Sequence, residues 1–138
     1  MKLLIDYAMQ FVGLPYKWGG DDTIKGFDCS GFAQEILAAV GMDPQGDQTA
    51  DRLYRYFKEQ GDRGVRRPGA LSFYGKPERI THIGFCVTRD LMLEAGGGGS
   101  KTVDAEAAAR HNAYIRMRPI KARSDFVECI MPRYHLID

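Results

Sequence analysis

The sequence predicts an α+β fold: N-terminal helices packed on a central antiparallel β-sheet of about five strands, in a single domain over residues 1–138. Three observations predict it. Apolar residues recur at helical spacing up to Gly61, the period changes to two after Pro68, and the strand-like runs are separated by short turns. At 138 residues the chain can bury a core without staples.

Leu3, Leu4, Tyr7, Ala8 and Phe11 share one face of a first helix, which Gly13 and Pro15 end. Residues 14–27 (LPYKWGGDDTIKGF) read as a loop rich in Gly and Asp. A second helix begins at Asp28. Phe32, Ala33, Ile36, Leu37 and Val40 make it mostly apolar, so it is the buried one, and Gly41 stops it. A third begins near Thr49, with Ala50, Leu53, Tyr54 and Phe57 on one face, and ends at Gly61. Residues 70–74, 80–88, 91–95, 113–119 and 126–131 read as the strands, and 104–110 (DAEAAAR) as a short helix.

Lys plus Arg number 19 against 18 for Asp plus Glu, a net charge of +1, which removes the electrostatic case for a general nucleic-acid binder. With 44% hydrophobic and 27% charged residues the composition is that of a folded domain, not of a disordered chain. The apolar run Ile36–Val40 is far too short to span a membrane, and Asp6 interrupts the stretch a signal peptide would need. The expectation is a soluble protein made in a cytoplasm. Three cysteines without paired spacing read as free thiols in a reducing compartment. No close His, Cys or acidic pair has metal-ligand spacing, so no metal is expected and no cofactor. The run Gly96–Thr102 is not a phosphate loop, because Ser100 stands before Lys101 where that motif needs Gly; it reads as a turn.

Chemistry concentrates in Pro15-Tyr16-Lys17-Trp18-Gly19-Gly20 and Phe27-Asp28-Cys29-Ser30-Gly31. Asp28 is placed to cap the second helix, and Cys29 stands in its first turn, where free N–H groups and the helix dipole favour a thiolate. The same N–H groups can hold an oxyanion. Cys86 and Cys129 fall inside strand patterns and lack this setting. A nucleophilic cysteine needs a base, and among His82, His111 and His135 only His82 sits on a regular strand, with Gly84 leaving room on the same face. His111 follows an exposed helix and His135 lies near the chain end.

The blocks PYKWGG, FDCSG and THIGF, taken in order from Tyr7 to about Ala95, resemble the signature of the NlpC-type cell-wall cysteine peptidases, a papain-like α+β family. The resemblance implies Cys29 as nucleophile and His82 as general base. It implies Tyr16 at the rim, helping to hold the substrate carbonyl or the oxyanion, and Asp28 and Ser30 in contact with the free amino end of a peptide. The family's third residue, most often His and sometimes Asn or Gln, lies about a dozen residues past the base, which here is Glu94. A carboxylate there is a departure, though chemically able to accept the imidazole N–H.

The implied reaction is hydrolysis of an amide in the peptide stem of bacterial peptidoglycan, through a thioester on Cys29. The implied bond joins D-γ-glutamate to meso-diaminopimelate. An N-acetylmuramoyl-L-alanine amidase using the same pair is the alternative enzyme, and an idle structural or adaptor domain of a phage tail the alternative of another class. The missing export signal suits a phage-encoded protein carried in a tail or released at lysis, with tail proteins as partners beside the stem-peptide substrate; a toxin delivered by a contractile apparatus would look similar. Trp18 reads as a core aromatic. Arg110, Arg116, Arg118, Lys121 and Arg123 read as a solvated strand face, with an anionic wall polymer or a partner protein as the sharper option.

Overall fold

The structure is a computed structural model describing residues 1–17, 20–22, 26–96, 104–111 and 113–135. Trp18, Gly19 and the glycine-rich run 97–102 lie outside the described residues. Four helices are described: α1 (Lys2–Met9), α2 (Cys29–Ala39), α3 (Ala50–Gln60) and α4 (Ala105–Arg110). The strands are β1 (Asp21–Asp22), β2 (Gly26–Phe27), β3 (Gly61–Arg63), β4 (Leu71–Lys76), β5 (Arg79–Cys86), β6 (Leu91–Gly96), β7 (Tyr114–Pro119) and β8 (Phe126–Pro132). β1 and β2 pair as a short ribbon, and the others form one antiparallel sheet in the order β3–β8–β4–β5–β6–β7.

The expected α+β class holds, with the Asp28 cap where the sequence places it and further caps at the starts of α3 and α4. Asp28 caps α2 through Gly31 N, Thr49 caps α3 through Arg52 N, and Asp104 caps α4 through Ala107 N. The alternation of the strands then sorts side chains onto two faces. Leu71, Phe73, Ile83, Phe85, Leu93, Ala95 and Ile130 meet α1, α2 and α3 in the main core. Ala70, Tyr74, Cys86, Met92, Cys129 and Met131 line the opposite face, covered by Val65, Ile120, Phe126 and Tyr134.

Three details differ from the sequence reading. Leu3 is 83% exposed, and the buried face of α1 is Leu4 and Ala8, continued by Phe11. The helix is short, and only one narrow stripe reaches the sheet-backed core. The sheet has six strands because α3 runs straight into β3, whose edge residues Asp62 and Arg63 carry charge instead of an apolar alternation. Arg63 pairs with Glu128 at 2.7 Å, and Gly61 is required because a Cβ there would sit 2.7 Å from Ile130 and 2.9 Å from the Phe57 carbonyl.

The segment expected as loop is instead tied to the sheet. Gly13 N–H reaches the Ile115 carbonyl at 2.8 Å, Ile115 N–H reaches Leu14, and Tyr16 N–H reaches Ala113, so residues 13–16 run along the outer edge of β7. Lys17 N–H then bonds Phe27, and Asp28 N–H bonds the Gly20 carbonyl. These bonds walk the chain from the sheet edge to the start of α2. There the Gly20 carbonyl packs directly on Gly31, where a Cβ would collide with it and lie 2.8 Å from Asp28 Oδ1. Gly31→Ala is therefore expected to lower stability by about 2 kcal/mol, the usual range for overpacking a tight site. Thermal unfolding should show the midpoint falling by about 5 °C.

Candidate active site

Cys29 is the first residue of α2 and partly buried; its cap, Asp28, uses Oδ1 to accept Gly31 N–H at 2.7 Å and Ser30 Oγ–H at 3.3 Å. α2 packs against β5, and the β5–β6 ladder explains how the sulfur reaches the sheet. Val87 N–H bonds the Leu91 carbonyl, so by alternation the N–H groups of Phe85 and Ile83 also face β6. The ladder itself consists of Phe85↔Leu93 and Cys86↔Met92 and goes no further. No pairing with β6 is described beyond it, and the Ile83 amide there acts on Cys29, drawing its pKa down.

His82 stands next to that amide. It is 6% exposed, its ring 5.5 Å from that of Tyr74, and Nε2 lies 2.6 Å from Glu94 Oε1. A carboxylate only accepts, so Nε2 carries the proton and Nδ1 is the nitrogen left for exchange with a thiol. Glu94 is 0% exposed. Burial pushes its pKa up, but the hydrogen bond and charge of His82, then Arg118 and Arg116, bring it down to about 2. Arg118 Nη1 lies 3.2 Å and Arg116 Nε 3.5 Å from Oε2.

A cleft of about 550 Å³ opens on Cys29, Asp28, Ser30 and Tyr16, walled by residues 47–51 before and at the start of α3 and by Arg79–Thr81 of β5. Gln34 of α2 fastens the first wall: its amide N–H groups donate to Asp43 and the Gly46 carbonyl, and its carbonyl accepts Gln48 N–H. Tyr16 is only 5% exposed. Burial, then the neighbouring Cys29 and Asp28, raises its pKa, so its hydroxyl stays protonated as a donor.

The structure thus brings together Cys29, Tyr16, Asp28 and Ser30 at the cleft, and His82 with Glu94 in the sheet beside it. Three expectations change. Gly84 leaves no free space beside the base, because a Cβ there would meet Met92 Sδ and Ser72 Oγ, which already fill it. The helix start does not yield a low-pKa thiolate: burial and the Asp28 carboxylate push Cys29 up to about 12, against the opposing pull of the Ile83 and Ser30 amides and the Arg123 charge. Arg116 and Arg118 are not a solvated face but turn inward onto Glu94. The signal was present, since the Arg-Met-Arg alternation puts both on one face of a strand neighbouring 91–95. His111 is exposed at the end of α4.

Sequence comparison matches residues 13–123 to the NlpC/P60 family. The chain belongs to that family. It is 30% identical over 117 residues to the bifunctional muramidase/DL-endopeptidase CwlT of Bacillus subtilis, covering 83% of this chain and 35% of CwlT. It is 28% identical over 107 residues to the murein DD-endopeptidase MepH of Escherichia coli, covering 72% of this chain and 38% of MepH. The chain thus spans little more than a third of the length of either relative. The NlpC/p60 domain of the peptidoglycan hydrolase SagA superposes with a TM-score of 0.67 at 20% identity, over 92% of this chain and 94% of that one. RipB of Mycobacterium tuberculosis superposes with a TM-score of 0.65 at 21% identity, over 98% of this chain and 67% of that one. These likenesses show the papain-like NlpC/P60 fold.

Two measurements check the electrostatics. Asp28→Asn keeps a good cap but removes the charge that opposes ionisation, so the pH dependence of Cys29 alkylation by iodoacetamide should move down by about one unit. An unmoved profile would show that Asp28 does not set the thiol. Glu94, with a folded pKa of about 2 against an ordinary 4.5, stabilises the fold fully above pH 4.5 and loses that contribution as pH falls toward 2. The contribution is on the order of 3 kcal/mol. Denaturant unfolding of Glu94→Gln should therefore show a flatter loss of stability than wild type across that window.

Proposed function

We propose that this domain is a cysteine peptidase hydrolysing an amide bond in the peptide stem of peptidoglycan, with Cys29 as nucleophile, His82 as base and Glu94 orienting His82. The observation that carries the reading is the buried 2.6 Å His82–Glu94 contact beside a cleft-facing cysteine at a capped helix start. The names of CwlT and MepH, both endopeptidases, support the substrate class.

In this reading His82 Nδ1 takes the Cys29 proton as Sγ attacks the carbonyl carbon, so the thiolate exists only when the base and substrate are in place. The N–H groups at the α2 start and the Tyr16 hydroxyl receive the developing oxyanion. His82 returns the proton to the leaving amine, and water then hydrolyses the thioester. Asp28 and Ser30, at the cleft, face the amino end of the bound peptide, Asp28 as the negative partner for an ammonium group. The bond we propose is D-γ-glutamyl–meso-diaminopimelate, which the DL-endopeptidase name of CwlT favours over the DD specificity named for MepH. CwlT and MepH are bacterial proteins, so the phage setting draws no support from them.

Purified protein incubated with peptidoglycan should release fragments whose masses mark a cut after D-γ-glutamate. A cut between muramic acid and L-alanine would instead identify the amidase, and no cut at all the idle adaptor. His82→Ala should lose nearly all turnover, by a factor of about 10³ or more, because both proton transfers use that ring. His111→Ala should remain within a few-fold of wild type.

A further inference from the structure

A carboxylate buried in a sheet and facing one imidazole is only half partnered, and an unpaired buried charge is costly. The strand register answers this for Glu94. Arg116 of β7 lies directly opposite it, and Arg118, two residues on, shares its face. Oε1 belongs to His82, while Oε2 accepts from Arg118 Nη1 at 3.2 Å. Arg116 Nε lies 3.5 Å from that same oxygen, buried and without a hydrogen-bond partner of its own among the described residues. Gly96 keeps the approach open, since a Cβ there would come within 2.9 Å of Oε2 and 3.1 Å of Arg116 Nη2.

We infer that Arg116 and Arg118 are positioning residues that act on the reaction through Glu94, keeping it ionised while His82 gains and loses its proton. The inference rests on His82 being the base. A lone carboxylate against an imidazole favours the protonated ring at every stage, which helps it take the Sγ proton and hinders its return to the leaving amine. Two guanidinium groups on the far oxygen reverse the net charge of the cluster, so the proton moves both ways with less bias. They also remove the alternative in which Glu94 itself takes up a proton when the ring is neutral. A neutral third residue would need no such brace.

The other titratable or charged groups facing the pair are few. Tyr74 of β4 is committed to the Ile120 carbonyl at 2.6 Å. Arg123 and Asp125, in the turn before β8, hold each other in a two-pronged pair at 3.0 Å. Cys29 of α2 adjoins the Ile83 amide next to His82.

The test is the pH profile of kcat/KM together with the NMR titration of the His82 imidazole in Cys29→Ala protein. Arg118→Gln leaves the local field more negative, so both curves should move to higher pH by about one unit. Glu94→Gln should move them to lower pH, and Arg118→Lys, which keeps the charge, should restore the wild-type position. Arg116→Gln should repeat the upward shift and serves if Arg118→Gln does not fold. Unshifted curves in the glutamine variants, or an equal shift in Arg118→Lys, would overturn the inference. Protein that cleaves no peptidoglycan would overturn the proposed function while the imidazole titration still decides this one.

Discussion

The 2.6 Å contact between His82 and Glu94 sets the terms for everything around it. Both groups are out of water, and a bare carboxylate in that position would cost several kcal/mol. The neighbouring sequence makes sense as provision for it. Gly84 lies two residues past His82 on β5 and Gly96 two residues past Glu94 on β6, and a side chain at the first would crowd Met92 and at the second the carboxylate itself. Tyr74 is fixed against the imidazole by its bond to Ile120. β7 supplies the positive charge, so the sixth-ranked strand of the sheet belongs electrostatically to the site although it lies two strands away from His82.

The start of α2 shows two effects in opposition. Helix N-termini favour anions, and the Ile83 and Ser30 amides act on the sulfur in that sense. The residue that makes the helix start well formed is, however, itself an anion, adjacent to the thiol and screened from water with it. Desolvation and Asp28 win, and the thiol rests protonated. A protonated, partly covered thiol is also a slow target for oxidants, since the thiolate is the reactive form.

Much of this was legible in the sequence. The change of period at Pro68, the Asp28 cap, the helix starts near Thr49 and Asp104, and the strand positions of His82 and Glu94 are local features, and local rules read them correctly. The rest depends on pairing between distant segments. Nothing near Asp62 and Arg63 signals a strand, because their partners are on β8. The binding of residues 13–16 to β7 joins segments about a hundred residues apart, so the Gly/Asp-rich loop gave no hint of it. The arginines of β7 could be assigned a direction only once the register with β6 was known. The state of Cys29 required the burial of its surroundings, which no motif carries.

The way residues 13–16 lie along β7 bears on how a peptide can be held. With that flank occupied, and the opposite flank formed by the short, charged β3, neither border of the sheet offers a long open ladder to an incoming chain. The cleft is bounded by a helix start, the segment 47–51 and the first residues of β5, whose other side is paired to β4. Short of Phe85 the start of β5 is paired on that side alone, so the backbone edge a guest could meet at the cleft is only a few residues long. Apart from that edge, what the cleft presents is a set of side chains at fixed points. In the proposed function, selectivity would then rest less on a repeating backbone than on the shape and charge of the groups that reach Asp28, Tyr16 and Arg79.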